Sequence, residues 1–333
     1  MKAEIHMKNN QNPVQKIAVI GCGRWGSFIA WYLDKTGHSI TLYGRESSAN
    51  MQKFLDCRKN DILTLPESVA LSTDLCCVSD TDIIAISICS QNLRSLAGEL
   101  AKIGIKNKII VLCMKGIEIS TGKRLSQVIT DIVDPSNEIA VWLGPGHVQE
   151  FCSDIPNCMV IDSNNAKVKD FLINSFSSRL IRFYYGEDMI GNEIGAAAKN
   201  VIGIAAGMLD GLSLSSLKGA LMSRGTREIA RLIKVLGGNE LSAYGLCHLG
   251  DYEATIFSKH SHNRMFGELF VKGETYGQLA EGFYTAAALK KIAEDFKVEI
   301  PICNAVYNIL YSGVSPHQAL DDLFARSLKK ELN

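Results

Sequence analysis

The sequence predicts an α/β protein: a doubly wound sheet followed by an all-helical C-terminal domain. Three observations predict it. A strand, a glycine turn, a helix and a second strand succeed one another within residues 16–43. Strand-like runs then alternate with helical stretches as far as residue 187. Beyond that point the strand pattern stops, and apolar residues recur only at helical spacing.

The first strand is Lys16–Ile20, KIAVI, a short apolar run rich in β-branched residues, as buried parallel strands are. Gly21-Cys22-Gly23-Arg24-Trp25-Gly26 follows at once, then the helical stretch SFIAWYLDKTG ending near Gly37, then the strand Ser39–Tyr43. Alone, G-x-G-x-x-G is a weak signal. Between a strand and a helix it is a strong one, because glycines permit the tight turn and the close approach of backbone to a pyrophosphate, which the helix N-terminus then holds. The sheet is therefore expected to be Rossmann-type and to bind a dinucleotide. The second strand is followed by Gly44, Arg45 and Glu46. A base there accommodates the 2′-phosphate of NADP, and an acid favours NAD, so both cofactors stay open.

Further strands are expected at Val69–Ser72, Asp82–Cys89, Lys108–Cys113, Ile139–Leu143, Cys158–Asp162 and Leu180–Tyr184. Ligands of doubly wound sheets bind beyond the C-terminal strand ends. Two such ends carry suggestive loops. Lys115, after the fifth strand, would place a cation in the crevice. Gly144-Pro145-Gly146-His147-Val148, after the sixth, could offer amides to an anion or be an ordinary turn.

From residue 188 onward, Ile229, Leu232, Ile233 and Leu236 repeat at i, i+3, i+4, i+7, as do Leu289, Ile292, Ala293 and Phe296, and Ile302, Ala305, Val306 and Ile309. The helical part opens with EIGAAAKNVIGIAAGMLDGL, residues 193–212. Between Ile194 and Leu209 its only side-chain charge is Lys199, and Asn200 is the only other polar side chain. Such a helix is expected to be buried all round. An ammonium inside it is costly unless paired or used, and desolvation lowers its pKa toward the range of proton exchange. Two polar clusters follow, His248-Leu249-Gly250-Asp251 and Ser261-His262-Asn263-Arg264. Asp251 could orient Lys199 or hold a substrate hydroxyl. The second cluster could bind an anion or simply start a helix with Ser261 as its cap.

The organisation expected is a short mobile leader over 1–15, a dinucleotide-binding domain over 16–187 and a helical substrate domain over 188–333, with a substrate cleft between the halves. Hydrophobic residues make up 47% of the 333, enough for a substantial core, and the formal charge of +0 points to no nucleic-acid partner. No apolar run is long enough to span a membrane. Ten cysteines without a C-x-x-C pair read as buried hydrophobes in a reducing cytoplasm, and the histidines show no metal-ligand spacing.

Taken together, GCGRWG, KGIE, GPGHVQE, EIGAAAKNVIGIAAGMLDGL, LGDY, SHNRMFG, EGFYTA and VEIPICNAVYNILYSG, in this order over about residues 16–326, resemble the NAD(P)-dependent glycerol-3-phosphate dehydrogenases of the bacterial type. The resemblance implies a cytoplasmic enzyme that interconverts dihydroxyacetone phosphate and sn-glycerol 3-phosphate, the glycerophospholipid precursor, with NAD or NADP, in a family whose members often form homodimers. It implies Lys199 as the general acid/base. It implies substrate contacts from Lys115, Gly144, Gly146, Lys199, Asp251, Ser261, His262 and Asn263. Cofactor contacts fall to Gly21, Gly23, Arg24, Trp25, Gly26, Arg45, Lys115, Val148, His262, Leu279 and Glu281, and no metal is implied.

Two departures bear on these roles. The family has Gly-Pro, a small hydroxyl residue, then Phe-Ala, where this chain has Gly146, His147 and Val148. The family follows its serine or threonine with Arg-Asn, and that arginine grips the substrate phosphate; here the position is His262. Arginine is always charged and binds phosphate as a fork, whereas a histidine of pKa about 6.5 is mostly neutral at physiological pH. Arg264 or Lys115 could compensate. Otherwise the substrate is a different anionic ketone, or the chain is a nucleotide-sensing module that does not need Lys199.

Overall fold

In the computed structural model, which describes residues 13–328, 330 and 331, all eight expected strands form one sheet. They are β1 (Lys16–Ile20), β2 (Ser39–Tyr43), β3 (Ala70–Ser72), β4 (Ile83–Ile86), β5 (Ile109–Leu112), β6 (Glu138–Leu143), β7 (Asn157–Ser163) and β8 (Ile181–Tyr185). Their order in space is β3-β2-β1-β4-β5-β6-β7-β8. The order reverses at β1, so the C-terminal ends of β1 and β4 open the crevice where such sheets bind ligands. Most of the proposed leader, residues 1–12, lies outside the described residues.

Side chains alternate across the sheet. In β1, Ile17 and Val19 join one core cluster and Ala18 and Ile20 the other. Helix α1 (Arg24–Lys35) covers the first face with Phe28, Ile29, Tyr32 and Leu33. Between them, α2 (Ala49–Cys57) and α3 (Leu93–Ile103) leave and rejoin the sheet, and α3 covers the second face with Leu93, Leu96, Ala97 and Leu100. Two covered faces explain why the strands read as continuous apolar runs.

One pairing departs from simple winding: β7 runs antiparallel to β6, while β8 is parallel to β7. After α4 (Leu125–Thr130) and β6, the connection to β7 holds only the five-residue α5 (Val148–Cys152). A parallel return needs a crossover, usually a full helix. The next helix, α6 (Ala166–Phe176), is long enough, and β8 returns parallel.

Strands end at Tyr185, and the chain continues as α7 (Met189–Gly211), α8 (Lys218–Val235), α9 (His262–Val271), α10 (Glu281–Asp295), α11 (Pro301–Ser312) and α12 (Pro316–Phe324). Helix α7 is the axis of this part, with residues from Ile194 to Met208 buried without a break. Close approach of α9 makes that possible. A Cβ on Gly207 would overlap the carbonyl of Arg264, and one on Gly267 would overlap the carbonyl of Ile204. No helix among the described residues is long and apolar enough to cross a membrane.

The ten cysteines are all free thiols. The expectation that they are buried holds for Cys22, Cys247 and Cys303 but not for Cys57 and Cys76, which are exposed. Cys57 closes the surface helix α2, and Cys76 sits in a short surface turn whose Asp74 caps its amide.

Candidate active site

After β1 the chain turns at Gly21, whose φ of +111° favours glycine, and its N–H donates to the carbonyl of Tyr43 at 2.9 Å. Helix α1 starts at Arg24, three residues earlier than the helical stretch in the sequence suggests, and no side chain caps its first turn. The open amides and the helix dipole there suit an anion. A Cβ on Gly26 would overlap the carbonyl oxygen of Gly21, so the turn and the helix can pack only through a glycine. Gly26 therefore lies beneath the loop, while Gly21, Gly23, Arg24 and Trp25 face a cavity of about 760 Å³.

That cavity runs between the sheet and the helical part. On its far side Lys199, one turn into the buried core of α7, is 8% exposed. Its Nζ donates to Thr255 Oγ1 at 2.7 Å and pairs with Asp251 Oδ2 at 3.1 Å. Asp251, 1% exposed, also takes Lys115 Nζ at 2.6 Å on the same oxygen. Lys115 Nζ reaches the carbonyl of Gly144 as well, at 2.6 Å. Two ammonium groups thus face one carboxylate, leaving a net positive site fit for an anion or a developing alkoxide. Burial pushes the Lys199 pKa down to about 8, with Asp251 holding it up and Lys115 lowering it. Two of the three Lys199 donors go to Thr255 and Asp251. The third remains for a group in the cavity.

Ser261 caps α9, its Oγ accepting from the N–H of Arg264 at 3.3 Å, and also lines the cavity, so both sequence readings of this residue hold in the geometry. Asn263 Nδ2 donates to Asn200 Oδ1 at 3.0 Å, and Asn200 Nδ2 donates to the carbonyl of Lys115 at 3.1 Å, which ties α9, α7 and the β5 loop together. His262 lines the cavity too. Arg264 does not: it pairs with Asp210 at 2.6 Å and Glu268 at 2.9 Å, so it offers no compensation at the His262 position.

Of the remaining predicted residues, Arg45 and Leu279 line the cavity from exposed positions. Glu281 lines it as well, but both its oxygens are engaged by Ser90, through the backbone N–H at 3.0 Å and the hydroxyl. Gly146 borders the cavity with φ +138°. Gly144 stands behind Lys115, and the Val148 side chain packs in the core beneath α1 rather than in the cavity. Among the described residues no group of His, Cys, Asp and Glu is placed to hold a metal. A second cavity, of about 740 Å³, lies in the helical part around Leu221, Val306 and Leu320, and the glycine turn does not line it.

Sequence reasoning missed Thr255, Asn200 and Ser90 as members of the site. Thr255 falls four residues after Asp251, in a π-helical turn over Glu253–Phe257, and donates to the Asp251 carbonyl at 2.7 Å. Such turns gather at functional sites, but no residue pattern announces one. Ser90 meets Glu281 across 191 residues of chain, which no local pattern could reveal.

The chain as a whole is similar to known proteins. A family model described as the N-terminus of NAD-dependent glycerol-3-phosphate dehydrogenase matches residues 16–169, and the corresponding C-terminus model matches 188–321. A glycerol-3-phosphate dehydrogenase [NAD(P)+] from a Thermoanaerobacter species is 35% identical over 335 residues, covering 96% of this chain and 99% of its own. One from a Thermotoga species is 35% identical over 94% of this chain and 98% of its own. The crystal structure of glycerol-3-phosphate dehydrogenase from Coxiella burnetii superposes with a TM-score of 0.88 at 28% identity, over 94% of this chain and 99% of that one. With both halves matched and full-length relatives a third identical, the chain belongs to the NAD-dependent glycerol-3-phosphate dehydrogenase family.

Proposed function

We propose that the protein interconverts dihydroxyacetone phosphate and sn-glycerol 3-phosphate with NAD or NADP. The observation that carries this reading is Lys199: an amine buried in the cavity that the glycine turn opens, its pKa brought near neutrality, with one donor to spare. The cofactor, when bound, supplies or accepts the hydride. The residues that fit it are the turn Gly21–Gly26, the open first turn of α1, and Arg45 at the end of β2.

In reduction, Lys199 donates its proton to the ketone oxygen as negative charge develops there. In oxidation the neutral amine takes the hydroxyl proton back. Asp251 keeps Lys199 oriented and, by its charge, protonated enough to act as an acid. Lys115 contributes a second positive charge beside the developing oxyanion. Asn200 and Asn263 fix the loop that carries Lys115 and the start of α9. General acid/base help of this kind contributes roughly 10²–10⁴-fold in rate. The ten free thiols, two of them exposed, support placing the enzyme in a reducing compartment such as the cytoplasm.

The direct test follows NADH and NADPH oxidation with dihydroxyacetone phosphate, with Lys199→Ala beside the wild type. Turnover by the wild type and its loss in the variant are expected. Cofactor binding without turnover in the wild type would instead mean a nucleotide sensor.

A further inference from the structure

Arg24 and His262 begin helices on opposite sides of the cavity, α1 on the sheet side and α9 on the helical side, and they touch. An Arg24 Nη2–H donates to His262 Nε2. A guanidinium has only donors, so Nε2 must be the unprotonated nitrogen, and His262 Nδ1–H points to the hydroxyl of Tyr276. Burial, reinforced by the Arg24 charge, pushes the His262 pKa down to about 4. His262 therefore brings no charge of its own near neutral pH, and protonating it would break its contact with Arg24.

The charge at this spot belongs to Arg24. It is half-buried, lines the cavity, and forms no ion pair among the described residues. A desolvated cation without a carboxylate is costly unless an anion completes it. Its side chain crosses the cavity to the Ser261–Asn263 segment instead of lying along its own loop. That segment is where the family resemblance puts the substrate phosphate, with an arginine at the position His262 holds here.

We propose that Arg24 supplies the guanidinium that binds the substrate phosphate, and that His262 positions it there. The proposal rests on the dehydrogenase reading. It puts the phosphate-binding cation on the residue that also starts the cofactor-binding helix, so the substrate's phosphate is held from both halves of the molecule.

The test compares dihydroxyacetone phosphate with unphosphorylated dihydroxyacetone, and measures NADPH affinity separately by fluorescence titration. Arg24→Ser should lower kcat/KM for the phosphorylated ketone by roughly tenfold to a hundredfold, one to two charge-assisted hydrogen bonds. With both ketones assayed at saturating NADPH, the loss for dihydroxyacetone should be much the smaller of the two, because that ketone offers the guanidinium no phosphate. Arg24→Lys, which keeps the charge without the fork, should fall between. The exchange Arg24→Ser with His262→Arg should recover most of the loss. For the positioning role, His262→Leu should raise KM for the phosphorylated ketone without changing kcat, and His262→Gln, which keeps an acceptor, should restore it. A loss in Arg24→Ser shared equally by both ketones and by NADPH binding would assign Arg24 to the cofactor and overturn the proposal, as would no loss at all. A wild type that binds NADPH but does not turn over dihydroxyacetone phosphate would overturn the dehydrogenase reading itself.

Discussion

On the sheet side of the cavity the ligand-facing groups are mostly backbone, a glycine turn and the first amides of α1. Facing it is a cluster of charged side chains, Lys199 and Asp251 from the helical part joined by Lys115 from the β5 loop, with Lys115 and Asp251 136 residues apart. The difference decides how each side can fail. A backbone site depends on what the chain can pack, so a single methyl group can close it. A side-chain site depends on charge, so it can lose its chemistry while its shape survives. Substitutions that separate the two losses test the comparison.

Lys199→Met should give the largest effect on rate, a fall in kcat of about 10²–10⁴-fold. Methionine fills the buried space of α7 without a proton to give, so NAD(P)H affinity by fluorescence titration should stay within about twofold. Retained turnover would move the chemistry away from the helical side.

Gly26→Ala should do the reverse. Its methyl would overlap the Gly21 carbonyl, so either α1 or the turn must shift. Overpacking of this kind costs about 1–3 kcal/mol, visible as a lower Tm. The cofactor affinity should fall with it, while any residual turnover at saturating cofactor keeps the wild-type pH profile. An unchanged affinity would mean that the amides beside Gly26 do not hold the cofactor.

The pH profile probes the charges directly. As the proposed acid/base, Lys199 would have to be protonated to reduce and neutral to oxidise. With its pKa near about 8, reduction should be full well below that value and fall as pH rises through it, and oxidation should rise over the same range. Asp251 raises the Lys199 pKa, so Asp251→Asn should move the falling limb of reduction to lower pH. A limb that stays in place would show that another group titrates. No rise in activity from protonation of His262 is expected between pH 5.5 and 8, because its pKa lies near about 4.

The same contrast explains what could be read in advance. The glycine turn is six consecutive residues, and a strand before it and a helix after it are local patterns, so that side of the site was legible. All eight strands were too, the central ones because strands buried on both faces write apolar runs into the sequence. The direction of β7 was not, because periodicity carries no sign of strand polarity. Lys199 stood out only because α7 is apolar on every side. Its partners did not: Thr255 reaches it through a π-helical turn, and Arg24 meets His262 across 238 residues. The Arg-to-His departure at position 262 looked like lost charge until the fold brought Arg24 beside it.

Arg45 gives the smallest expected effect, and it lies where the two kinds of site meet. It is a charged side chain on the backbone-built side, exposed at the end of β2, with Glu46 next to it. Its side chain makes no ion pair among the described residues. Arg45→Ala should therefore raise KM for NADPH by roughly three- to tenfold, the modest worth of an exposed ion pair with a 2′-phosphate, and leave NADH nearly unchanged. Because the contact is solvent-exposed, raising the salt should shrink the wild-type preference toward that of the variant. Equal losses for both cofactors would mean that Arg45 does not read the 2′-phosphate, and a gain for NADPH would put Glu46 in charge of the choice.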